Sequence, residues 1–73
     1  KKILQNIGGS ENVITASNCV TRLRLEINDI SLVNEENIKK TGAKGVVKIN
    51  DNNIQIIIGT EVVNVMKEFN ELL

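Results

Sequence analysis

Thr21-Arg22-Leu23-Arg24-Leu25-Glu26-Ile27 alternates without a break. Leu23, Leu25 and Ile27 fall on one side, and Arg22, Arg24 and Glu26 on the other. Successive side chains of a strand point to opposite faces. The run therefore predicts a half-buried antiparallel strand with one face on a core and one in water. Upstream, Val13 to Ser17 is rich in β-branched residues and has no helical period, which predicts a partner strand. Downstream, Gly45 to Ile49 and Ile54 to Ile58 predict a second hairpin. Its turn, Asn50-Asp51-Asn52-Asn53, is built of residues that tolerate positive φ. In the last strand Ile54, Ile56 and Ile58 form one face, and Gln55 and Ile57 the other.

Three helices are predicted around these strands. Ile3, Leu4 and Ile7 share one side of a short helix that Gly8-Gly9 ends, and Ser10 is placed to cap a further turn over Glu11 and Asn12. The second helix has the fullest signals. Asn34 stands as N-cap, Glu35 and Glu36 occupy the positive first turn, and Val33 and Ile38 form a hydrophobic staple. Lys39 and Lys40 lie near its negative end, and Gly42 can take the left-handed cap. Gly59 breaks the last strand and Thr60 is placed to cap a third helix, in which Val62, Val65, Met66, Phe69, Leu72 and Leu73 recur at helical spacing. The expected fold is α+β: a four-stranded antiparallel sheet covered on one face by three helices, in the order α-β-β-α-β-β-α.

The chain has 73 residues, enough for one domain with a thin core. Nine Lys and Arg balance nine Asp and Glu, so no basic surface argues for duplex nucleic acid. Phe69 is the one aromatic residue, which leaves no platform for stacking bases. No apolar run approaches the ~20 residues of a membrane span. Cys19 stands alone and His is absent, which excludes an internal disulfide, a thiolate zinc site and Ser–His or Cys–His catalysis within the chain. The chain opens Lys1-Lys2 without Met and shows no signal-peptide pattern, so it reads as a domain cut from a longer protein.

Chemistry concentrates in Ser17-Asn18-Cys19-Val20-Thr21-Arg22-Leu23-Arg24. Cys19 falls in the turn between the first two strands, where a thiol is reachable. Arg22 and Arg24 project from one face close by. Two fixed positive charges favour thiolate over thiol, and guanidinium groups grip phosphate oxygens in a bidentate fork. Thr21 adds a hydroxyl, and free turn amides can form an anion nest. The set suits a sulfur nucleophile that accepts a phosphoryl group. The residues alone leave a plainer reading open: a lone Cys is commonly a small hydrophobe, and Arg on a wet strand face commonly serves solubility. A cysteine phosphatase loop is excluded, because its arginine position falls on Leu25. A thiol redox switch lacks its resolving Cys. Gly42-Ala43-Lys44-Gly45 matches the GXXG loop of KH-type RNA-binding domains, but a strand pattern follows at once where that fold has a helix.

The string Asn18-Cys19-Val20-Thr21-Arg22-Leu23-Arg24 resembles the phosphorylation-site motif of the IIB domain in bacterial sugar phosphotransferase systems, glucose superfamily (the glucose, N-acetylglucosamine and α-glucoside type). Three outer segments extend the likeness over nearly the whole chain: Gly8-Gly9-Ser10-Glu11-Asn12-Val13, Gly42-Ala43-Lys44-Gly45-Val46-Val47, and Gln55 to Gly59-Thr60. The resemblance implies a relay. A phosphohistidine on a IIA domain passes its phosphoryl group to the IIB cysteine, which gives it to a sugar in the membrane IIC domain. It implies that Cys19 is the nucleophile, that Thr21, Arg22, Arg24 and Gln55 bind phosphate, and that no cofactor or metal is needed. The domain would work at the cytoplasmic face of the bacterial membrane as part of a permease, without spanning it or binding nucleic acid. Ser17 departs from members with Asp at this place, and the Asn18 form is more similar to maltose or other α-glucoside relatives. Val20 and Ile57 would form an apolar rim that docks IIA and IIC in turn. A IIB-like domain that binds partners without transferring phosphate is the alternative, with a KH-like module behind it.

Overall fold

The structure, a computed structural model, describes residues 2–72. Helix α1 (Lys2–Gln5) is followed by a 3-10 turn (Ser10–Asn12), strands β1 (Val13–Asn18) and β2 (Arg22–Ile27), and a second 3-10 turn (Ile30–Leu32). Helix α2 (Glu35–Lys40), strands β3 (Gly45–Asn50) and β4 (Asn53–Ile57), and helix α3 (Val62–Leu72) complete the chain. The four strands form one antiparallel sheet in the order β1-β2-β4-β3. The α+β order expected from the sequence is the one observed.

The alternation in β2 decides which face is wet. Leu23, Leu25 and Ile27 are buried, as are Ile54 and Ile56 of β4. They meet Leu4 and Ile7, Ile38 of α2, and Val62, Met66 and Phe69 of α3 in one core cluster. The opposite face of the sheet is open, and it carries Arg22, Arg24, Gln55 and Ile57.

The second helix begins as its sequence dictates. Asn34 Oδ1 accepts the Asn37 amide at 3.1 Å, Val33 and Ile38 are both buried, and Gly42 lies beyond the helix with φ of 109°. Gly42 to Gly45 lead from α2 into β3, so the helix–loop–helix arrangement of the RNA-binding loop is not the one formed here.

Several local expectations fail for identifiable reasons. Ser10 is not a cap: it lies inside the 3-10 turn, whose N-cap position is Gly9 with φ of 78°. Thr60 does not cap α3 either. The first bond spanning four residues runs from the Val65 amide to the Glu61 carbonyl at 3.2 Å, which puts the helix start one residue later. The Asn50–Asn53 turn uses no positive φ. Asn50 Oδ1 instead accepts the Asn52 amide at 2.9 Å and Asn53 Nδ2 at 3.0 Å, closing the turn with a side chain. β4 ends at Ile57 rather than Ile58: the Ile58 amide still donates in register to the Thr21 carbonyl, but that oxygen also takes the Gly59 amide, and the ladder stops there. Leu72 is exposed at the end of α3, and Leu73 lies outside the described residues.

Asn12 is the one buried polar side chain among the described residues, with 3% of its surface exposed. Nδ2 donates to the Ile7 carbonyl at 2.6 Å and to the Asp29 carbonyl at 3.0 Å, and Oδ1 accepts the Asp29 amide at 2.8 Å. One side chain thereby ties the end of the first helical segment to the loop after β2. Removing it leaves the Ile7 carbonyl and the Asp29 amide without partners, each costing roughly 1–3 kcal/mol when buried, while the Asp29 carbonyl keeps the Leu32 amide at 3.3 Å. Asn12→Ala is therefore expected to lower stability in urea by about 3 kcal/mol with an unchanged denaturant slope. Thr15→Ala, which removes an exposed bond to Glu26, should stay within about 0.5 kcal/mol. Equal, small losses in both variants would contradict the bracing role of Asn12.

Candidate functional site

The connection from β1 to β2 is short and held from three sides. The Cys19 amide donates to the Arg22 carbonyl at 2.9 Å, which closes the loop on itself. The Thr21 carbonyl accepts two amides from the segment after β4, Ile58 at 2.9 Å and Gly59 at 2.8 Å. Gly59 has φ of 105°, a conformation open to glycine, and it lets both amides turn toward one oxygen. Asn18 Nδ2 donates to the Cys19 carbonyl at 3.2 Å. The loop is thus fixed to the end of the sheet while Val20 at its tip stands 83% exposed and Cys19 partly so.

With these carbonyls engaged, the Thr21 and Arg22 amides are left to face the thiol. The Cys19 thiol is held below its ordinary range, first by the Thr21 amide and also by the Arg22 amide. The charge of Arg24 and a hydrogen bond from its side chain act in the same direction. Partial burial opposes them. Toward the resting thiol Thr21 acts through its amide. Arg22 acts through its amide, because its guanidinium is turned elsewhere: Nη1 donates to Gln55 Oε1 at 3.0 Å.

That bond follows from register. Arg24 stands directly opposite Gln55, and Arg22 opposite Ile57. Arg22 therefore reaches Gln55 as a diagonal neighbour, within range of a long side chain. The open face carries the row Ser17, Arg24, Gln55, Val47 across the four strands, and Arg22, Ile57, Gly45 across three of them at its end. A shallow cleft of ≈ 260 Å³ on this face is lined by Ser17, Arg24, Glu26, Ile49 and Gln55 among others. The structure therefore gathers Cys19, Thr21, Arg22, Arg24, Gln55, Val20 and Ile57 at one end of the sheet. Sequence reading had no signal for the two amides from Ile58 and Gly59, since they depend on which strand end lies beside the loop. Among the described residues no cluster of three or more acidic or thiol side chains could hold a metal ion.

Chemically, the loop presents a nucleophilic sulfur, two amides and one guanidinium to whatever anion approaches it. Because amides lead over charge, Arg24→Gln should raise the midpoint of the pH–alkylation profile of Cys19 only partway toward the value in the urea-unfolded chain. Thr21→Ala, which keeps the amide, should leave the midpoint within about 0.2 unit of the parent, since no charge is changed. A full return to the unfolded value in Arg24→Gln alone would show that charge, and not the amides, sets the thiol.

The family model described as phosphotransferase system, EIIB matches residues 1–34. The maltose-specific EIICB component of the PTS system of Escherichia coli (strain K12) is 44% identical over 71 residues. That match covers 97% of this chain but 13% of the relative's length. The N-acetylglucosamine-specific EIIB component of Streptomyces coelicolor is 41% identical over 73 residues, covering 100% of this chain and 94% of that protein. Among solved structures, one domain of the PTS system IIabc component from Clostridium difficile superposes with a TM-score of 0.78 at 32% identity, covering 96% of this chain and 73% of that one. With a whole-length relative at this identity and a shared fold, the chain belongs to the EIIB family of the phosphotransferase system, in its glucose superfamily.

Proposed function

We propose that this chain is a phosphoryl carrier of a sugar phosphotransferase system, with Cys19 as the atom that carries the group. The observation that supports it most is the convergence of the Thr21 and Arg22 amides and the Arg24 side chain on a partly exposed thiol in an EIIB chain. The Cys19 thiolate attacks the phosphorus of a phosphohistidine on a IIA domain. The S–P bond forms as the P–N bond breaks, and the imidazole nitrogen keeps the electron pair. In the second step a sugar hydroxyl in the membrane IIC domain attacks the same phosphorus. The O–P bond forms, the S–P bond breaks, the thiolate is regenerated, and the hydroxyl proton leaves to a base on the acceptor side.

The residues of this chain divide the work. Arg24 and the two loop amides neutralise the equatorial oxygens in a transition state governed by electrostatics. Gln55 holds Arg22 by its Oε1, which fixes the plane of a guanidinium that an arriving phosphoryl group would engage. Its amide nitrogen stays available for a phosphoryl oxygen. The EIICB name of the maltose relative gives the precedent for the IIC partner, and the IIabc name of the Clostridium difficile protein that for IIA as well. The domain would sit at the cytoplasmic face of the membrane as one part of a permease. Among the described residues no helix is long and apolar enough to cross a membrane. Val20, 83% exposed, and half-buried Ile57 would form the rim that docks each partner in turn. Such a contact must be small, because the domain has to leave one partner to reach the next.

Lysine keeps the charge of arginine but loses its planar fork. Arg22→Lys and Arg24→Lys should each slow phosphoryl transfer from phosphorylated IIA by about tenfold or more, with unfolding midpoints near the parent's. Parent rates in both variants would remove the arginines from the mechanism. Ile57→Glu should slow transfer from IIA while leaving Cys19 alkylation unchanged. An unchanged transfer rate would mean that Ile57 is not part of the docking rim.

A further inference from the structure

Gly42-Ala43-Lys44-Gly45 contains one side chain that neither the fold nor the proposed transfer uses. Ala43 is buried, Gly42 follows α2 with positive φ, and Gly45 begins β3. Lys44 is exposed, and its amide donates to the Ile57 carbonyl at 2.8 Å. Its side chain lies back across the protein. Nζ is 3.5 Å, and Cε 3.8 Å, from the point where a Cβ on Gly59 would stand. Gly59 is the residue whose amide donates to the Thr21 carbonyl. The ammonium therefore rests on the turn that fixes the Cys19 loop, separated from that loop by one hydrogen-bonded residue.

A lysine side chain gives up rotamer freedom when it is held in one place, and its ammonium is strongly hydrated. An ion pair commonly offsets those costs. Here none does: among the described residues Lys44 has no carboxylate within ion-pair distance, although Glu61 follows Gly59 by two residues. Arg22, Arg24 and Glu26 stand on β2, Lys44 and Lys48 before and on β3, and Glu61 before α3, with Lys67, Glu68 and Glu71 further along that helix. Nearest the Cys19 loop in the chain are Arg22 and Arg24, and the Gly59 turn adds Lys44. The Lys44 charge is thus without a partner in the resting chain and stands beside a loop built to receive an anion.

We infer that Lys44 is a third cation of the phosphoryl site, a positioning residue that acts through space on the group carried by Cys19. It rests on the carrier reading above. Its two consequences are a phosphoryl group held as the dianion and a loop that attracts the phosphorylated donor more strongly at low salt. For scale, a unit charge acting across ~8 Å of water-like dielectric moves an ionisation by about 0.4 unit, and salt screens it.

The test is a phosphorus NMR titration of the phosphorylated 73-residue chain at low and high salt, for the parent, Lys44→Met and Lys44→Arg. Lys44→Met should raise the second ionisation of the phosphoryl group by about 0.4 unit at low salt, with little difference at high salt. Lys44→Arg should titrate as the parent does, and both variants should unfold at the parent's midpoint in urea. An unchanged titration in a phosphorylated, folded Lys44→Met chain overturns the inference and leaves the carrier reading intact. No S–P resonance in the parent overturns the carrier reading, and this inference with it.

Discussion

Strand β2 is hydrogen-bonded on both edges, to β1 and to β4, and the rest of the molecule follows from its register. A slip of one residue would exchange its two faces, driving Arg22 and Arg24 into the core and Leu23, Leu25 and Ile27 into water. The burial of those three apolar residues therefore fixes where the arginines stand. The same register sets Arg24 opposite Gln55 and brings Arg22 to it on the diagonal. Stability and site geometry here share one cause. In a domain this small, with a thin core, that economy matters, because few contacts are available for the site alone.

The Cys19 loop extends this logic past the end of the strand. Its carbonyls are taken up by neighbours: Thr21 by Ile58 and Gly59, Arg22 by Cys19 itself. The Thr21 and Arg22 amides are left to face the sulfur. A nucleophile stabilised by amides is suited to a carrier, because fixed dipoles hold the leaving thiolate as readily as the attacking one. Charge contributes through Arg24, while the Arg22 guanidinium is held by Gln55. Supporting groups thus come from the β1–β2 loop, from β4 and from the turn after it, all brought to one end of the sheet by the strand order.

Much of this was legible in the sequence because it rests on short-range rules. Strict alternation over residues 21–27 gave the central strand, the Asn34 cap with its staple gave α2, and the helical spacing of Val62, Met66 and Phe69 gave the buried side of α3. What the sequence did not announce is tertiary. Ile14 and Ile49 sit at register shifts in the two edge strands, where an extra residue resets the alternation. The first of these puts Val13, rather than Ile14, opposite Ile27, and leaves Ile14 51% exposed. No local pattern announces such a bulge, since both choices are β-branched. Asn12 looked like a turn residue, yet its partners Ile7 and Asp29 come from both sides of the first hairpin. At the site, the face shared by Arg22, Arg24 and Gln55 was readable. The turn of the Arg22 guanidinium toward Gln55, and away from the thiol, depends on pairing β2 with β4, a contact between residues 33 apart.

The central claim is that Cys19 carries a phosphoryl group reversibly, and intact-mass analysis measures that directly. The chain would be incubated with phosphoenolpyruvate, the general phosphotransfer proteins and a IIA domain, beside Cys19→Ser. The account predicts one added phosphoryl group on the parent, none on Cys19→Ser, and its discharge when unphosphorylated IIA is added back. A folded parent chain that stays unmodified with several IIA partners, or a Cys19→Ser chain that is modified like the parent, would contradict it.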